Sequence, residues 1–323
     1  MTRTARSRKH QGFDLEARLA PVERAIERHP FAWRGVWDQW RPSVVEPIDV
    51  SSFFAVEPDS SLVREEVGVD GARGAEADAV DVARGDASGK RWREVHVDLG
   101  CGKGSFTVAS AQREPDVLFV GVDCEPVCAM HGGEKAIEAD VDNVVFTLDE
   151  DPHIECLFGS DELSTIYINF PAPFPKKKQA SRRLTYVDRL LAYRQALRAD
   201  GELWLRTDSE PFFLFSKNQL ELAGFEIFWE TGDCRAARPD DPETWYEKKL
   251  TAKGARVFAL VAKQGSAPAP NPEDVVQTAP MSLYDYLPED LENMQYVPHG
   301  MANGVENMLN FRRNLMNRHN KQP

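Results

Sequence analysis

The chain has 323 residues, of which 42% are hydrophobic, and its formal net charge is −13. This length allows one sizeable buried core with appended segments. No apolar run approaches the roughly 20 residues of a membrane span, and the basic N-terminus has no apolar segment behind it, so we expect a cytoplasmic protein without a secretory signal. The acidic balance excludes a generally basic surface, so any nucleic-acid contact must come from a local patch.

The N-terminal part divides into an arm, residues 1–56, and an acidic insertion, residues 57–92. The arm has apolar residues at helical spacing from Leu15 to Arg28, which predicts a helix. Trp33, Trp37 and Trp40 follow it, and we predict that they pack the arm onto the main domain rather than form a stacking surface for bases. The insertion is rich in Asp, Glu, Gly and Ala and has few large apolar residues, so we predict that it is disordered.

Short β-branched runs alternate with helical segments through residues 93–264, which predicts an α/β, doubly wound, mostly parallel sheet of seven strands. A long connection precedes the last strand, so we expect that strand to be antiparallel. The predicted strands are Val95 to Leu99, Leu118 to Val122, Val144 to Leu148, Ser164 to Asn169, Gly201 to Arg206, Phe225 to Trp229 and Ala255 to Val261.

Residues 265–323 begin with a Pro-rich linker and continue as a tail with a predicted helix from Val305 to Met316. The tail has enough apolar side chains, among them Tyr284, Tyr286 and Leu287, to dock on its own chain or on a partner. The sequence does not decide between these two options, nor between a monomer and a homodimer. The cysteines and histidines lack the spacing typical of metal ligands, so we predict reduced thiols and no metal site.

A glycine-rich turn joins the first predicted strand to a helix, in the sequence Val95-His-Val-Asp-Leu-Gly-Cys-Gly-Lys-Gly-Ser-Phe106. Gly100, Gly102 and Gly104 let a ligand approach the backbone closely. The spacing is G-x-G-x-G, without the third glycine of a dinucleotide fingerprint, and Asp98 lies within the strand. These features favour S-adenosylmethionine over a dinucleotide.

Acidic residues also end the next two predicted strands, at Asp123 and at Asp149 with its neighbour Glu150. S-adenosylmethionine carries an ammonium and a sulfonium but no phosphate, so carboxylates would attract it. Each acid alone is equally well explained as a solvated strand end or a helix cap. Their common place at the carboxyl edge of the sheet, where open α/β sheets bind ligands, favours a cofactor site.

The predicted strand Ser164 to Asn169 ends in a proline-locked loop and a cationic run, Asn169-Phe-Pro-Ala-Pro-Phe-Pro-Lys-Lys-Lys178. Three prolines stiffen the loop and prevent the strand from continuing. Lys176, Arg182 and Arg183 would meet phosphates if this end of the strand borders the site. The alternative is an ordinary solvated run of charge.

Several motifs together resemble the bacterial tRNA (guanine-N7-)-methyltransferase family, from about Val95 to Ala262. They are Asp-Leu-Gly-Cys-Gly-Lys-Gly, Gly-Val-Asp, Asn-Phe-Pro-x-Pro-x-Pro-Lys, Arg182-Arg183, Thr207-Asp208 and Thr244-Trp-Tyr-Glu247. The resemblance implies a class I methyltransferase (Rossmann-like) fold that methylates N7 of a guanosine in the tRNA variable loop.

By the same resemblance, the acids that contact the cofactor are Asp98, Asp123 and Asp149 or its neighbour Glu150. The predicted cofactor site also includes Asn169 and the turn glycines Gly100, Gly102 and Gly104. The residues on the tRNA side are Lys176, Arg182, Arg183, Asp208, Thr244 and Glu247, with Asp208 and Glu247 expected to act in catalysis.

The chain departs from the family pattern at Ala172, where the family has an aspartate, and at Phe174, where it has a tryptophan. N7 of guanine has a free lone pair and no proton to remove, so methyl transfer requires alignment rather than a general base. We therefore expect an active enzyme that is slower than other members of the family or differently tuned. The alternatives are an inactive or weakened protein that binds S-adenosylmethionine and tRNA, and a methyltransferase acting on a small molecule.

Overall fold

The computed structural model describes residues 14–42, 92–147, 153–298 and 300–319, with side chains as far as residue 314 in the last range. Most of the predicted acidic insertion lies outside these ranges, and so do Asp149 and Glu150.

The described residues form an α/β structure around one eight-stranded sheet in the order β1-β4-β3-β2-β5-β6-β8-β7. Pairing is parallel from β1 to β6, and β8 runs antiparallel to both of its neighbours, β6 and β7. The strands are β1 (Ile26–Glu27), β2 (Glu94–Leu99), β3 (Val117–Val122), β4 (Val144–Thr147), β5 (Leu163–Asn169), β6 (Leu197–Thr207), β7 (Phe225–Thr231) and β8 (Phe258–Gln264). All seven predicted strands are present, and the antiparallel last strand is confirmed.

The eighth strand, β1, comes from the N-terminal arm, where the sequence predicted one helix as far as Arg28. The α-helix α1 ends at Leu19, a 3₁₀ turn covers Ala20–Ala25, and β1 then pairs with β4. Pro21 explains the difference, because its ring cannot continue an α-helical hydrogen-bond ladder.

Helices cover both faces of the sheet and bury a separate apolar cluster on each. Val97 and Val120 belong to one cluster, and Phe119 and Phe146 belong to the other. The helices are α1 (Leu15–Leu19), α2 (Ser105–Arg113), α3 (Pro126–Glu138), α4 (Ile154–Leu157), α5 (Val187–Ala196), α6 (Glu210–Leu222), α7 (Cys234–Ala237), α8 (Trp245–Thr251) and α9 (Ala302–His319). None of the helices in the described ranges is both long and apolar enough to cross a membrane.

The tryptophans of the arm pack against the main sheet, as predicted. Trp37 and Trp40 are buried, and the Trp37 indole N–H donates to the carbonyl of Leu157 at 2.8 Å. The Trp92 indole N–H donates to the Trp40 carbonyl at 2.8 Å, so the start of the sheet domain holds the end of the arm. These indoles serve as packing groups with a satisfied polar edge.

The C-terminal tail docks on its own chain. Leu283, Leu291, Met301 and Val305 are buried, and the Leu283 N–H donates to the carbonyl of Pro175 at 2.9 Å. The tail therefore reaches the proline-rich loop that follows β5.

The order of the strands also indicates where on the sheet a ligand would bind. The chain moves from β2 outward through β3 and β4, and then returns to β5 on the other side of β2. Such a reversal opens a crevice at the carboxyl ends of the two central strands, and open α/β sheets bind ligands there. In this chain, the crevice lies between the ends of β2 and β5.

Candidate active site

The glycine turn follows β2 directly, and its three glycines all have positive φ, at 77° for Gly100, 53° for Gly102 and 68° for Gly104. A Cβ placed on Gly102 would meet nothing within 4 Å, so the space above this residue is open to a ligand. A Cβ on Gly104 would come within 2.7 Å of the Gly132 Cα in α3. Gly104 is therefore needed for the close packing of α2 against α3, a requirement that the cofactor assignment did not foresee.

Asp98 is 1% exposed and is held from two sides. Thr107 Oγ1 donates to its Oδ2 at 2.7 Å, and Asn169 Nδ2 donates to its Oδ1 at 3.2 Å. Burial raises the pKa of the Asp98 carboxyl to about 6, even though both hydrogen bonds favour the charged form. Asp98 forms no salt bridge among the described residues, although the charge of Arg206 also favours its ionised form, and a buried carboxylate in such a position is suited to a cationic ligand.

Asp123 braces the glycine turn from the end of β3. Its Oδ2 accepts from the Gly102 N–H at 2.9 Å, and its Oδ1 accepts from the Glu125 N–H at 3.0 Å. Each oxygen keeps a second lone pair, so the carboxylate can still accept from a ribose hydroxyl. The structure thus brings Asp98, Asp123 and Asn169 to one edge, whereas Asp149 and Glu150 lie outside the described residues.

The loop after β5 is held in an unusual backbone conformation. Phe170 and Phe174 have φ values of 50° and 44°, in the left-handed region that large side chains rarely adopt. Each such residue costs about 1–3 kcal/mol and persists only where its surroundings enforce it. The loop is therefore fixed in advance rather than ordered by a ligand.

Arg183 supplies part of this enforcement. Its side chain is buried, Nε donates to the Pro173 carbonyl at 3.1 Å, and Nη2 donates to the Phe174 carbonyl at 2.8 Å. The guanidinium also stacks on the Phe215 ring at 4.2 Å, and burial lowers its pKa to about 10. This corrects the prediction that Arg183 binds the substrate, because the side chain points into the protein and is occupied by the loop carbonyls.

The neighbouring cations do lie on the surface. Lys176 and Arg182 are exposed, and the Arg182 guanidinium lies 4.3 Å from the centre of the Phe174 ring. Lys177 and Lys178 are exposed beside them. These four side chains form a basic rim along the loop, which we call the loop rim.

A cavity of about 240 Å³ lies between the proline loop and the end of β6. Its lining residues are Phe170, Pro171, Ala172, Pro173, Thr207, Asp208, Ser209 and Tyr246. Asp208 is the one carboxylate among these lining residues, since Ala172 contributes only a methyl group. Flat apolar walls with one acidic group suit a single planar ring that carries hydrogen-bond donors.

Asp208 is 8% exposed and accepts a hydrogen bond from the Tyr296 hydroxyl, with an O–O distance of 2.6 Å. Tyr246 packs edge-on against Phe170, with ring centres 5.7 Å apart. Burial and the charge of Asp208 raise the pKa of Tyr246 to about 12, so this phenol stays protonated at neutral pH. The sequence reasoning assigned no role to Tyr246, although it lies inside the Thr244 to Glu247 motif, and nothing in the sequence pointed to Tyr296.

Thr244 and Glu247 are engaged at the start of α8, and neither lines the cavity. Thr244 Oγ1 accepts from the Glu247 N–H at 2.8 Å, which makes Thr244 the N-cap of the helix. Glu247 is buried, its Oε1 pairs with Arg235 at 2.5 Å, and its Oε2 has no hydrogen-bond partner among the described residues. A catalytic role for Glu247 stays a prediction, and Oε2 is the atom through which it would act.

The start of α8 also reaches the glycine turn. Trp245 is 54% exposed, and its ring lies between Lys103 of the turn and Lys249, at 5.3 and 5.2 Å. The start of α8, which carries the cavity residue Tyr246, therefore lies beside the glycine turn. Within the described ranges, no group of three or more His, Cys, Asp or Glu side chains is arranged to hold a metal ion.

Residues 92–260 match a family model described as a putative methyltransferase. The chain is 36% identical over 170 residues to a tRNA (guanine-N(7)-)-methyltransferase of Brevibacillus brevis, in a match that covers 52% of this chain and 79% of that relative. The enzyme of the same name from Geobacillus kaustophilus is 36% identical over 180 residues, covering 53% and 83%. That of Lactococcus lactis subsp. cremoris is 32% identical over 183 residues, covering 54% and 84%.

Proposed function

This chain belongs to the tRNA (guanine-N7-)-methyltransferase family, and we propose that it transfers the methyl group of S-adenosylmethionine to N7 of a guanosine in the tRNA variable loop. One observation supports this most directly. Asn169 donates to Asp98 on the cofactor side and begins the loop that lines the acceptor cavity. The two half-sites therefore share a wall, as a direct transfer between two bound molecules requires.

The residues at the edge of β2 and β3 fit S-adenosylmethionine. Gly102 leaves open space above the turn, Asp98 is a buried acid with no salt bridge among the described residues, and Asp123 lies at the turn. When bound, the cofactor supplies a methyl group activated by its sulfonium. The protein's part is to hold that group with carboxylates that favour positive charge and to bring it to the neighbouring cavity.

In the cavity, the protein needs to align the base rather than to remove a proton. The proline walls would sandwich the ring, and Asp208 would accept from the N1–H and 2-amino edge of guanine. Tyr246, which stays protonated, would donate to an acceptor of the base. Positive charge moves onto the purine during transfer, and the Asp208 carboxylate stabilises it there.

The loop rim would hold tRNA phosphates outside the cavity. Lys176 and Arg182 are exposed beside the loop, so they can reach a backbone whose base enters the pocket. The body of the protein is acidic, so binding would rely on this local patch and would weaken with salt. We place this activity in the cytoplasm.

A second candidate is a protein that binds S-adenosylmethionine and tRNA without methylating it. The observation that favours it is the lining of the cavity. Ala172 provides no carboxylate, so Asp208 is the one carboxylate among the described lining residues. The chemistry argues against it, because N7 requires no general base.

The test is a transfer assay with the purified full-length chain, S-adenosylmethionine labelled on its methyl group, and unmodified tRNA transcripts. We expect label at N7 of a variable-loop guanosine and no label in a transcript that carries adenosine there. Asp208→Asn is expected to lower the rate by about 100-fold, the usual cost of losing one charge-stabilising group.

Lack of transfer, together with retained binding of both tRNA and the cofactor, would favour the second candidate. Ala172→Asp then tells whether the missing carboxylate is the cause, since it would restore labelling. If neither form binds tRNA, both candidates are wrong.

A further inference from the structure

A segment beyond the family match contacts residues that line the acceptor cavity. The family model ends at residue 260. The described residues of the segment 283–298 and 300–305, which we call the C-terminal strap, contact the lining residues Asp208 and Ser209, and a Cβ placed on Gly300 would lie 3.6 Å from Cγ of the lining residue Pro173. Next to the wall formed by the proline loop, the Leu283 N–H donates to the carbonyl of Pro175, a loop residue outside the lining, at 2.9 Å. At the other wall, the buried Met301 lies against Ser209, with its Sδ 3.8 Å from the Ser209 Oγ.

Between these two anchors, the strap places Tyr296 on the acid of the cavity. Its hydroxyl donates to Asp208 Oδ2 at 2.6 Å, the short distance of a bond between a hydroxyl and a charged acceptor. Burial and this bond raise the pKa of Tyr296 above its ordinary value, so the phenol remains a donor at working pH. The bond uses one of the four lone pairs of the carboxylate, so Asp208 keeps capacity for a ligand.

The importance of this contact follows from the charged groups that line the cavity. Ala172 and Asp208 line the same cavity, and only Asp208 carries a carboxylate. A single carboxylate recognises a base well only if its rotamer is fixed, since a free side chain must be ordered at each binding event. The phenol of Tyr296 fixes it.

We propose that Tyr296 is a positioning residue of the acceptor site, which orients Asp208 toward the edge of the guanine in a cavity whose described lining holds no second carboxylate. The inference rests on the proposed function, because it assigns Asp208 to the base. It also gives the C-terminal strap a part in the reaction, so that the working site extends beyond the residues matched by the family model.

The experiment compares Tyr296→Phe with Tyr286→Phe in the full-length protein. Tyr286 is the matched control, because it lies in the same strap and its hydroxyl donates to the Pro280 backbone carbonyl at 3.0 Å, not to the cavity. We expect Tyr296→Phe to lower kcat about tenfold, the effect of losing one hydrogen bond to a charged group. KM for tRNA should change less than about twofold, since phosphate contacts dominate affinity. Tyr286→Phe should keep the wild-type kcat.

The same substitution in an Asp208→Asn background separates positioning from a structural role of the strap. If Tyr296 acts through Asp208, its loss has little further effect once the carboxylate is gone. Equal loss of kcat in both backgrounds, or equal loss in Tyr286→Phe, would overturn the proposal and leave the proposed function standing. Failure of the wild-type chain to methylate tRNA would overturn the proposed function, and this inference with it. Cofactor affinity, measured by calorimetry, should be unchanged in Tyr296→Phe and reports that the variant is folded.

Discussion

The guanidinium of Arg183 donates to the carbonyl of Phe174 at 2.8 Å, and Phe174 is itself held at a φ of 44°. The buried guanidinium of Arg183 thus stabilises the strained backbone of the loop from the protein interior, while other atoms of the same loop line the cavity. Free energy of folding offsets the strain, and the ligand meets a loop that is already in place.

We therefore predict that Arg183→Met lowers the free energy of unfolding by about 2–4 kcal/mol, because it leaves the Pro173 and Phe174 carbonyls without their donor. Denaturant titration followed by fluorescence measures this. Arg182→Met is the control, since its exposed guanidinium only stacks on a ring and is expected to contribute about 1 kcal/mol or less. Equal losses in the two variants would contradict the role given to Arg183.

The loop rim leads to a prediction about salt. Lys176→Ala should weaken tRNA binding and reduce the slope of log K against log salt by about one, as expected for one lost phosphate contact. Lys217→Ala is the control, because Lys217 is already paired with Glu230 at 2.7 Å and should leave the slope unchanged. Anisotropy of labelled tRNA over a series of salt concentrations gives both slopes. An unchanged slope in Lys176→Ala would show that this lysine does not contact phosphate.

The raised pKa of Asp98 leads to a prediction of how cofactor binding depends on pH. Its pKa in the free protein is raised to about 6 by burial, so the carboxyl is ionised above that pH and protonated below it. A bound cation favours the ionised form, so binding below about pH 6 must displace a proton. Affinity for S-adenosylmethionine should then be flat above this pH and fall by up to about tenfold per pH unit below it.

Calorimetry over a pH series tests this dependence, with Asp98→Asn expected to bind weakly and without the inflection near pH 6. The exposed Asp161 offers a control, and Asp161→Asn should retain the wild-type curve. The same inflection in Asp98→Asn would assign it to another group.

The sequence predicted the fold well where a pattern is local. The helix predicted after the glycine turn is α2, which begins at Ser105 directly after Gly104. The buried parallel strands are apolar enough to be located within a few residues. Asp98 and Asp123 lie at the predicted edge for a related reason: in a parallel sheet, strand ends on the same side necessarily meet.

Prediction failed where a side chain's role depends on contacts distant in sequence. Arg183 and Arg182 are adjacent and chemically identical, and only the packing of the loop turns one inward and leaves the other exposed. Tyr296 is 88 residues from Asp208 and outside every motif, so its contact could not be inferred before the tail was placed. Thr244 fits a substrate motif, but the backbone uses its hydroxyl as a helix cap.

Two of the three glycines of the turn, Gly102 and Gly104, provide a test that separates cofactor binding from packing. Gly102→Ala places a methyl group in the open space above the turn, so we expect weaker S-adenosylmethionine binding, with stability reduced by about 1 kcal/mol from the positive φ alone. Gly104→Ala forces a Cβ to within 2.7 Å of the Gly132 backbone, which α3 can relieve only by moving, so we expect a loss of about 2 kcal/mol or more. Calorimetry should therefore show the main effect of Gly102→Ala as a loss of cofactor affinity. Thermal unfolding should show the main effect of Gly104→Ala as a loss of stability. If Gly102→Ala binds the cofactor as tightly as the wild type, the cofactor does not lie over this turn, and the site assigned to Asp98 and Asp123 is wrong.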